Sequence, residues 1–297
     1  MKAGLMALVL GLVIPGGAVA ELLPADCARL GAGMQALRGW SVTLPPAGSA
    51  EGWCVFDGAV LRAKAPDLPD LGVDRLRLRG SVEAADLVAL DIDLAGLRLR
   101  QSLAASGKHD PIRAMFRLQS ADLALSVRLD PGTGTLQVRD LLLRFSGGTE
   151  IGLSADIVGA TLDMGSLASG RLTALTLDWR LDGRLLRPVM EAVGTGLVAN
   201  ATGSVAVDAT RAALRRLLGA LPQAMLPDAP RRALDLAVTA LPVGRGRLTL
   251  SLVVPDGIGA ARLIVAGVAD DPLAPETLAV LFQGARLAVT WEPGLPP

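Results

Sequence analysis

From Trp53 to Leu181, apolar and charged residues alternate along the chain with a period of two. Successive side chains of a β-strand point to opposite faces, so this pattern indicates strands with one buried face and one solvated face. Leucines alternate with arginines or aspartates at 75–79, 90–94 and 97–100. Such strands recur without intervening helices, which favours an antiparallel meander over a parallel sheet. A Rossmann fold or a TIM barrel is therefore not expected.

Further strands are predicted on both sides of these segments. The alternation from Leu123 to Leu129 stops at a turn, 130–134, and resumes at Leu136, which predicts a hairpin. The remaining strands are expected at 53–61, 141–145, 151–157, 172–181, 234–240, 248–254 and 286–291. The expected fold class is mainly β (α+β): a curved antiparallel sheet or meander with a helical insertion and a disulfide-pinned N-terminal helix.

The hydrophobic period changes to that of a helix after residue 184. Apolar residues at 185–197 predict one helix, and a second is expected to begin with Asp208 as its N-cap. Prolines within 222–230 are expected to end the second helix. Near the end of the chain, Pro275 predicts the start of a short helix that continues to Phe282.

The second of these helices carries leucines on one face and Arg211, Arg215 and Arg216 on the other. A helix of this kind can lie on an anionic membrane surface. It can equally dock on the sheet through its leucines, and that interpretation is the favoured one. The three arginines are the candidate membrane or partner surface.

The first twenty residues have the features of a secretory signal peptide. Lys2 is followed by the uncharged apolar run 3–14, and 18–20 reads Ala-Val-Ala, which predicts cleavage after Ala20 and a periplasmic location. An uncleaved membrane anchor is disfavoured, because the run is shorter than the roughly 20 residues that a spanning helix needs. Cleavage removes one Lys and leaves 28 basic and 29 acidic residues, a net charge of −1. Nucleic acid is not an expected partner of such a chain.

Cys27 and Cys54 are the two cysteines of the chain, and in an oxidising compartment such a pair predicts a disulfide. It would hold a short helix beginning at Asp26 against the strand that starts near Trp53. Trp40 and Trp53 are expected to pack over the bond. No metal site is expected, because the two thiols have no further Cys or His partners at ligand spacing.

The chain is expected to comprise four parts. Residues 1–20 are the signal peptide, and 21–183 hold the N-terminal helix and the strand-rich region. Residues 184–230 form the helical insertion. The C-terminal strands and the short helix at 231–297 are expected to belong to the same domain as the strand-rich region.

Catalytic chemistry has little support in the sequence. His109, the one histidine, lies between a glycine and a proline in what is expected to be a solvated turn. A Ser-His-Asp triad using it stays open, because triad members meet in space rather than in sequence. Asp91 and Asp93 are expected on a solvated strand face, where an acid/base pair lacks burial. No complete nucleotide-binding glycine pattern occurs. From all these observations, no catalytic residue, cofactor or metal is assigned.

Three stretches of Leu-x-Leu alternation ending in glycine turns, at Leu87–Arg100, Ala121–Phe145 and Leu172–Leu185, resemble the AsmA/TamB-like envelope proteins of Gram-negative bacteria. The resemblance implies a curved sheet whose apolar groove carries or shelters lipid. The chain departs from that family in its short length and in lacking the N-terminal membrane helix that such proteins usually retain. No individual residue is carried over.

Three functions are therefore considered. The leading hypothesis is a non-enzymatic periplasmic envelope protein with an amphipathic sheet that binds or shelters lipid or another apolar ligand, with peripheral membrane contact as an option. The second is a structural or assembly factor that binds another envelope protein. The third is a hydrolase-type enzyme that uses His109 and a nearby Asp or Ser.

Overall fold

The structure is a computed structural model that describes residues 20–21, 27, 40–45, 48–63, 70–83, 86–100, 119–162, 166, 169–267, 271 and 274–294. Its strands are β1 (Ala20–Glu21), β2 (Trp40–Thr43), β3 (Gly48–Ala50), β4 (Trp53–Ala63), β5 (Leu71–Glu83), β6 (Asp86–Leu99), β7 (Ala121–Asp130), β8 (Thr135–Phe145), β9 (Glu150–Val158), β10 (Arg171–Leu181), β11 (Gly246–Gly259) and β12 (Arg286–Pro293). Its helices are α1 (Gly183–Leu197), α2 (Gly203–Ala220), α3 (Asp228–Ala240), α4 (Ala260–Gly267) and α5 (Pro275–Leu281).

The chain divides into two compact units. Unit 1 falls within 1–108, 116–144 and 159–168, and unit 2 falls within 109–115, 145–158 and 169–297. Among the described elements, unit 1 therefore holds β1 to β7 and nearly all of β8, and unit 2 holds β9 to β12 and helices α1 to α5. The four parts expected from the sequence stay a prediction.

From β3 to β8, strands that follow one another in sequence lie next to one another in unit 1. The order is β8-β7-β6-β5-β4-β2, with β1 beside β5 and β3 beside β4. The registers from β2 to β7 are all antiparallel. Antiparallel meander topology in a mainly β chain is thus confirmed. The two-residue connection after β5 and the four-residue connection after β7 place β6 and β8 beside their predecessors.

The turn predicted at 130–134 joins β7 to β8. Asp130 accepts hydrogen bonds from the backbone N–H of Gly132 at 2.9 Å and from the Thr133 hydroxyl at 2.9 Å. These bonds, that of Thr133 first, hold the pKa of the Asp130 carboxyl below its ordinary value. The side chain thereby stabilises the reversal of the chain that the sequence indicates.

A row of three residues, Gly58, Asp74 and Gly96, crosses β4, β5 and β6. At this row the alternation of buried and exposed side chains shifts by one residue in each strand. Both glycines have positive φ, 80° and 67°. A Cβ on Gly96 would lie 2.1 Å from an Asp74 carboxylate oxygen, so this position accepts no other residue without rearrangement. The register between β6 and β7 shifts here as well. The bulge lets leucines before and after Gly96 reach the same face, so segments 90–94 and 97–100 belong to one strand.

In unit 2 the strands run in the order β9-β10-β11-β12 and are antiparallel. One face of this sheet is covered by helices. Leu226, Leu234 and Ala237, from α3 and the loop before it, form a buried cluster with Leu248 of β11. Trp179 of β10 is partly buried and packs on the same cluster.

The prediction of a strand at 234–240 is wrong, because these residues belong to helix α3. The sequence 234–236 alternates in polarity, but Leu234, Ala237 and Val238 are buried together at helical spacing while Leu236 is exposed. Pro230 is the third residue of this helix rather than a terminator of the preceding one. A proline is tolerated there because the first turn of a helix has unpaired N–H groups in any case.

Two other helix predictions require correction. Helix α2 begins at Gly203 with Thr202 as N-cap, so Asp208 lies inside it rather than capping it. The early turns are helical because Ala206 and Val207 are buried against α1, a tertiary effect that local propensity does not reveal. Helix α4 is not anticipated by the sequence. The helices at 185–197 and 275–282 agree with α1 and α5 within two residues.

Candidate functional site

The apolar face of unit 1 is built from alternate residues of four neighbouring strands. Cross-strand pairing places Phe56 opposite Leu76, Leu76 opposite Leu94, and Leu94 opposite Leu123. These side chains are 1% to 8% exposed. The buried members of the face are Val42, Cys54, Phe56, Ala59, Leu61, Val73, Leu76, Leu78, Leu90, Ile92, Leu94 and Leu123, together with Cys27. The period-two pattern from Trp53 onward thus produces one continuous apolar surface.

Cys27 and Cys54 are joined in a disulfide, with their Cα atoms 5.3 Å apart. Both residues are buried within the apolar face. The rest of the helix predicted from Asp26 lies outside the described residues, so its pinning by this bond stays a prediction. Leu141 and Leu143 of β8 also pack against the face.

The opposite side of the same strands carries a ladder of paired charges, here called the charged ladder. Arg75 of β5 pairs with Asp57 of β4, while Arg77 pairs with Asp93 and Arg79 with Asp91 on β6. The members stand directly opposite one another in the registers of the strands. Opposite charges in such cross-strand pairs stabilise both the pairing and its register.

Trp53 lies on the charged ladder rather than over the disulfide, so the prediction for this residue is wrong. The guanidinium carbons of Arg77 and Arg79 lie 5.1 and 4.6 Å from the centroid of its ring. The reason is the strand period: Cys54 faces the core, so its neighbour Trp53 must face the other way. Arginines stacked on tryptophan gain a cation–π interaction. The Trp40 side chain lies outside the described residues.

Asp91 departs from the expectation of a solvated carboxylate, since the residue is only 8% exposed. Arg128 of β7 makes a bidentate contact with it, both distances being 2.9 Å. The Ser126 hydroxyl donates to the same carboxylate at 2.8 Å, and Arg79 donates through its Nη2 at 3.0 Å. The strand alternation identified the correct face, but partners on two neighbouring strands cover Asp91 there.

The pKa of Asp91 lies below its ordinary value. Burial of the carboxyl raises the pKa, but the hydrogen bonds from Arg128, Ser126 and Arg79 together outweigh that effect. Asp91 is therefore ionised at neutral pH, with its oxygens occupied by donors. A carboxylate in this state is a poor proton donor, and its evident role is to connect β5, β6 and β7 on the charged side.

We expect Asp91→Asn to lower the free energy of unfolding by about 2 kcal/mol at pH 7, because two arginines lose their shared counterion at a buried position. The effect should shrink as pH falls below the ordinary value of 3.8. A carboxyl with a lowered folded pKa contributes stability above its unfolded pKa and loses it as pH falls through the folded pKa. Urea denaturation at several pH values measures this.

Asp93→Asn is the matched control for Asp91→Asn. Asp93 lies two residues further along the same strand face, but its side chain is 29% exposed and its ion-pair partner, Arg77, is 41% exposed. Its loss should cost less than about 1 kcal/mol. Equal effects of the two substitutions at pH 7 would show that burial of Asp91 does not contribute to stability.

The structure separates the three arginines predicted as a membrane or partner surface. Arg211 pairs with Asp208 and donates to the Leu241 carbonyl at 2.6 Å. Arg215 contacts α3, through the Thr239 hydroxyl at 2.9 Å and the Asp235 carboxylate at 3.4 Å. Arg216 is exposed.

The leucine face of the same helix contacts the core of unit 2. Leu218 and Leu221 pack against the cluster that contains Leu248. For Leu218 and Leu221, the favoured interpretation of the sequence, docking of the helix through its leucines, therefore holds. The basic surface is largely engaged within the unit, because two of its three arginines have partners on α3 or just after it.

Several sequence predictions fall on residues outside the described part. These are the signal peptide up to residue 19 and the turn around His109. Within the described ranges, no group of three or more His, Cys, Asp or Glu side chains is arranged to hold a metal ion. No helix among the described residues has the length and apolar composition needed to cross a bilayer.

The fold and the site define a mainly antiparallel β protein whose strands in unit 1 separate an apolar face from a charged one. No known family model matches the chain, and no significant similarity to a curated protein is found. The resemblance to AsmA/TamB-like proteins therefore stays a prediction.

Proposed function

We propose that the protein is a non-enzymatic, periplasmic envelope protein whose amphipathic sheet binds or shelters lipid or another apolar ligand. The observation that carries the proposal is the apolar face of unit 1, which extends over β4, β5, β6 and β7. The centre of this face is already buried within the chain, and its partly buried members, such as Leu125, Leu141 and Leu143, are the ones that could contact a ligand. Acyl chains bind to surfaces of this kind through burial of apolar area, which contributes about 25 cal/mol per Å².

The charged ladder supports the proposal from the other side of the sheet. Its arginines and aspartates are paired with one another, so this side interacts with water and does not compete for an apolar ligand. The bulge at Gly96 supports a curved sheet, because bulges bend strands and increase their twist. A concave apolar side would surround an acyl chain more completely than a flat one.

The proposed location rests on two features. The sequence begins with the pattern of a cleavable signal peptide, 1–20, and the Cys27–Cys54 disulfide suits an oxidising compartment such as the periplasm. The resemblance to AsmA/TamB-like proteins points to the same compartment and to the same class of ligand.

Native mass spectrometry of protein purified from the periplasm of a Gram-negative host tests the proposal. We expect a fraction of the protein to carry a lipid adduct that organic extraction removes. Leu125→Trp, which adds bulk on the apolar side opposite Ile92, should reduce the adduct several-fold. The matched variant Ala124→Trp places the same bulk on the charged side and should leave the adduct unchanged. Lipid-free wild-type protein, or equal effects of the two variants, would contradict a lipid-binding sheet.

A second candidate, an assembly factor for another envelope protein, is favoured by strand β12. This strand ends the sheet of unit 2, and its pairing with β11 uses one of its two edges. An extended segment of a partner could add to the other edge by main-chain hydrogen bonds. Leu287 directs its N–H away from β11, to the Met225 carbonyl oxygen at 2.9 Å, so the N–H of Val289, two residues further on, lies on the same edge. Val289→Pro would remove that N–H, and loss of partner capture with an unchanged lipid adduct would favour this second function.

A further inference from the structure

Strand β12 ends the sheet of unit 2, and the loop between α2 and α3 covers one end of its outer edge. The main-chain groups of an antiparallel strand point alternately to either side, so those of Leu287, Val289 and Trp291 point away from β11. The Leu287 N–H donates to the Met225 carbonyl oxygen of the loop at 2.9 Å. Residues 222–227, here called the edge guard, therefore take the place beside Leu287 that a further strand would need.

Arg231, near the start of α3, holds the edge guard from its other side. Its guanidinium donates to the carbonyl oxygen of Leu218 in the last turn of α2, to that of Leu221 at 2.9 Å and to that of Leu226 at 3.4 Å. A cation suits this position, because the C-terminal end of a helix carries a partial negative charge. Arg231 thus fixes the guard to both helices.

The Met225 side chain is the second anchor of the edge guard. It is 4% exposed and lies in a buried cluster with Leu252 and Val254 of β11. Its neighbour Leu226 is fully buried in the cluster that contains Leu234 of α3. The guard therefore belongs to the ordered core of unit 2, and it contacts the edge of β12 through its main chain while its side chains hold it in place.

The edge that the guard covers is complementary to itself. Two copies of β12 can pair antiparallel about a two-fold axis at Val289, which places Leu287 opposite Trp291 of the second copy. In this register the residues whose main-chain groups point away from β11 exchange hydrogen bonds with one another. The same register places Arg286 directly opposite Glu292 at both ends of the pair. Opposite charges in such positions stabilise strand pairing.

The charges at the two ends of β12 favour this register and a second copy as the occupant of the edge. Arg286 and Glu292 are exposed, and Arg247, which stands opposite Glu292 on β11, is already paired within unit 2. A two-fold axis at Trp291 would separate these charges and place Pro293, which has no N–H, where a donor is needed. A second copy supplies the reversed order of charges by symmetry, whereas a strand of another protein would have to contain it independently.

We propose that the edge guard is an autoinhibitory contact: held by Arg231 and Met225, it keeps β12 from pairing with the β12 of a second copy. Self-pairing requires the guard to leave Leu287, because the two occupy the same edge. Covering an edge strand with a loop is a common way for proteins to prevent strand addition. The contact does not depend on lipid binding by the apolar face of unit 1, and it limits how much of the edge an assembly partner could use.

Sedimentation velocity of protein purified from the periplasm tests the guard. The wild type should sediment as a monomer. Arg231→Ala removes the hydrogen bonds that hold the guard, and Met225→Ala loosens its buried anchor, so each should self-associate at least about tenfold more tightly than the wild type. Arg232→Ala is the matched control, because Arg232 is the adjacent residue of α3 and is exposed, and it should remain monomeric.

Charge reversal identifies the surface that pairs. Added to Arg231→Ala, the substitution Arg286→Glu should weaken self-association at least about tenfold, because it places like charges opposite each other at both ends of the pair. The further substitution Glu292→Arg makes the charges opposite again and should restore the association.

Three results would overturn the proposal: a wild type that already pairs through this edge, self-association that is insensitive to the charges at 286 and 292, or Arg231→Ala and Met225→Ala variants that both stay monomeric. Capture of another envelope protein by a monomeric Arg231→Ala variant would also overturn it, and would assign the edge to the second candidate function. A lipid adduct that is unchanged in Arg231→Ala would keep this proposal separate from lipid binding by unit 1.

Discussion

Truncation of Phe56 to alanine should lower the free energy of unfolding by about 4 kcal/mol, within the range for aromatic residues removed from a packed core. Phe56 is 1% exposed and is among the largest fully buried side chains of the described residues. It stands opposite Leu76 in the register of β4 and β5, within the apolar face of unit 1. Its removal leaves a cavity in the middle of that face in addition to the lost apolar burial.

Val55→Ala is the matched control for the Phe56 substitution. Val55 is the adjacent residue of β4, but it stands opposite Arg77 on the charged side of the sheet. Its truncation should cost about 1 kcal/mol or less. Urea denaturation measures both variants, and hydrogen exchange of peptides from β4 to β7 locates the effect in unit 1. Equal losses for the two variants would mean that the apolar face of unit 1 is not a tightly packed core.

The strands of unit 1 could be predicted because their burial is one-sided. Leu76 and Leu78 are buried, while the arginines between and around them are paired on the other face. The polarity of successive residues therefore follows the alternation of side chains between the two faces of the strand. The hairpin at 130–134 was equally readable, because its turn chemistry is local. Both inferences need only neighbouring residues and no knowledge of the remaining chain.

Elements that depend on tertiary contacts could not be predicted in the same way. Helix α2 starts five residues before Asp208 because its first turns pack on α1, and the sequence 203–207 alone has no strong helical pattern. Residues 234–240 alternate in polarity at first, but their burial follows the helical period once they pack on the sheet. In both regions packing outweighed the local pattern.

The sequence predicted which residues face the charged side of the unit 1 sheet, but it did not predict which of them pair with one another. The alternation assigned Asp91 and Asp93 to the same face, and the structure agrees. Their different environments depend on which residues of β5 and β7 stand opposite, and register is a non-local property.

Loss of the Cys27–Cys54 disulfide should lower the free energy of unfolding by about 3 kcal/mol. The bond joins residues 27 positions apart, and a cross-link of this span mainly restricts the unfolded chain. Both residues are buried, Cys54 at 0% and Cys27 at 2% exposure, and free thiols pack as small apolar groups. Reduction should therefore leave the apolar face of unit 1 assembled but less stable.

The comparison of reduced and oxidised protein needs a variant in which the reductant has nothing to cleave. Cys27→Ala/Cys54→Ala should melt about 10 °C below the oxidised wild type, given a shift of roughly 2–4 °C per kcal/mol for a chain of this size. Dithiothreitol should lower the wild-type melting temperature towards that of the variant and leave the variant unaffected. A wild type that mass spectrometry shows to be reduced, and that still melts at the temperature of the oxidised protein, would show that the bond adds no stability.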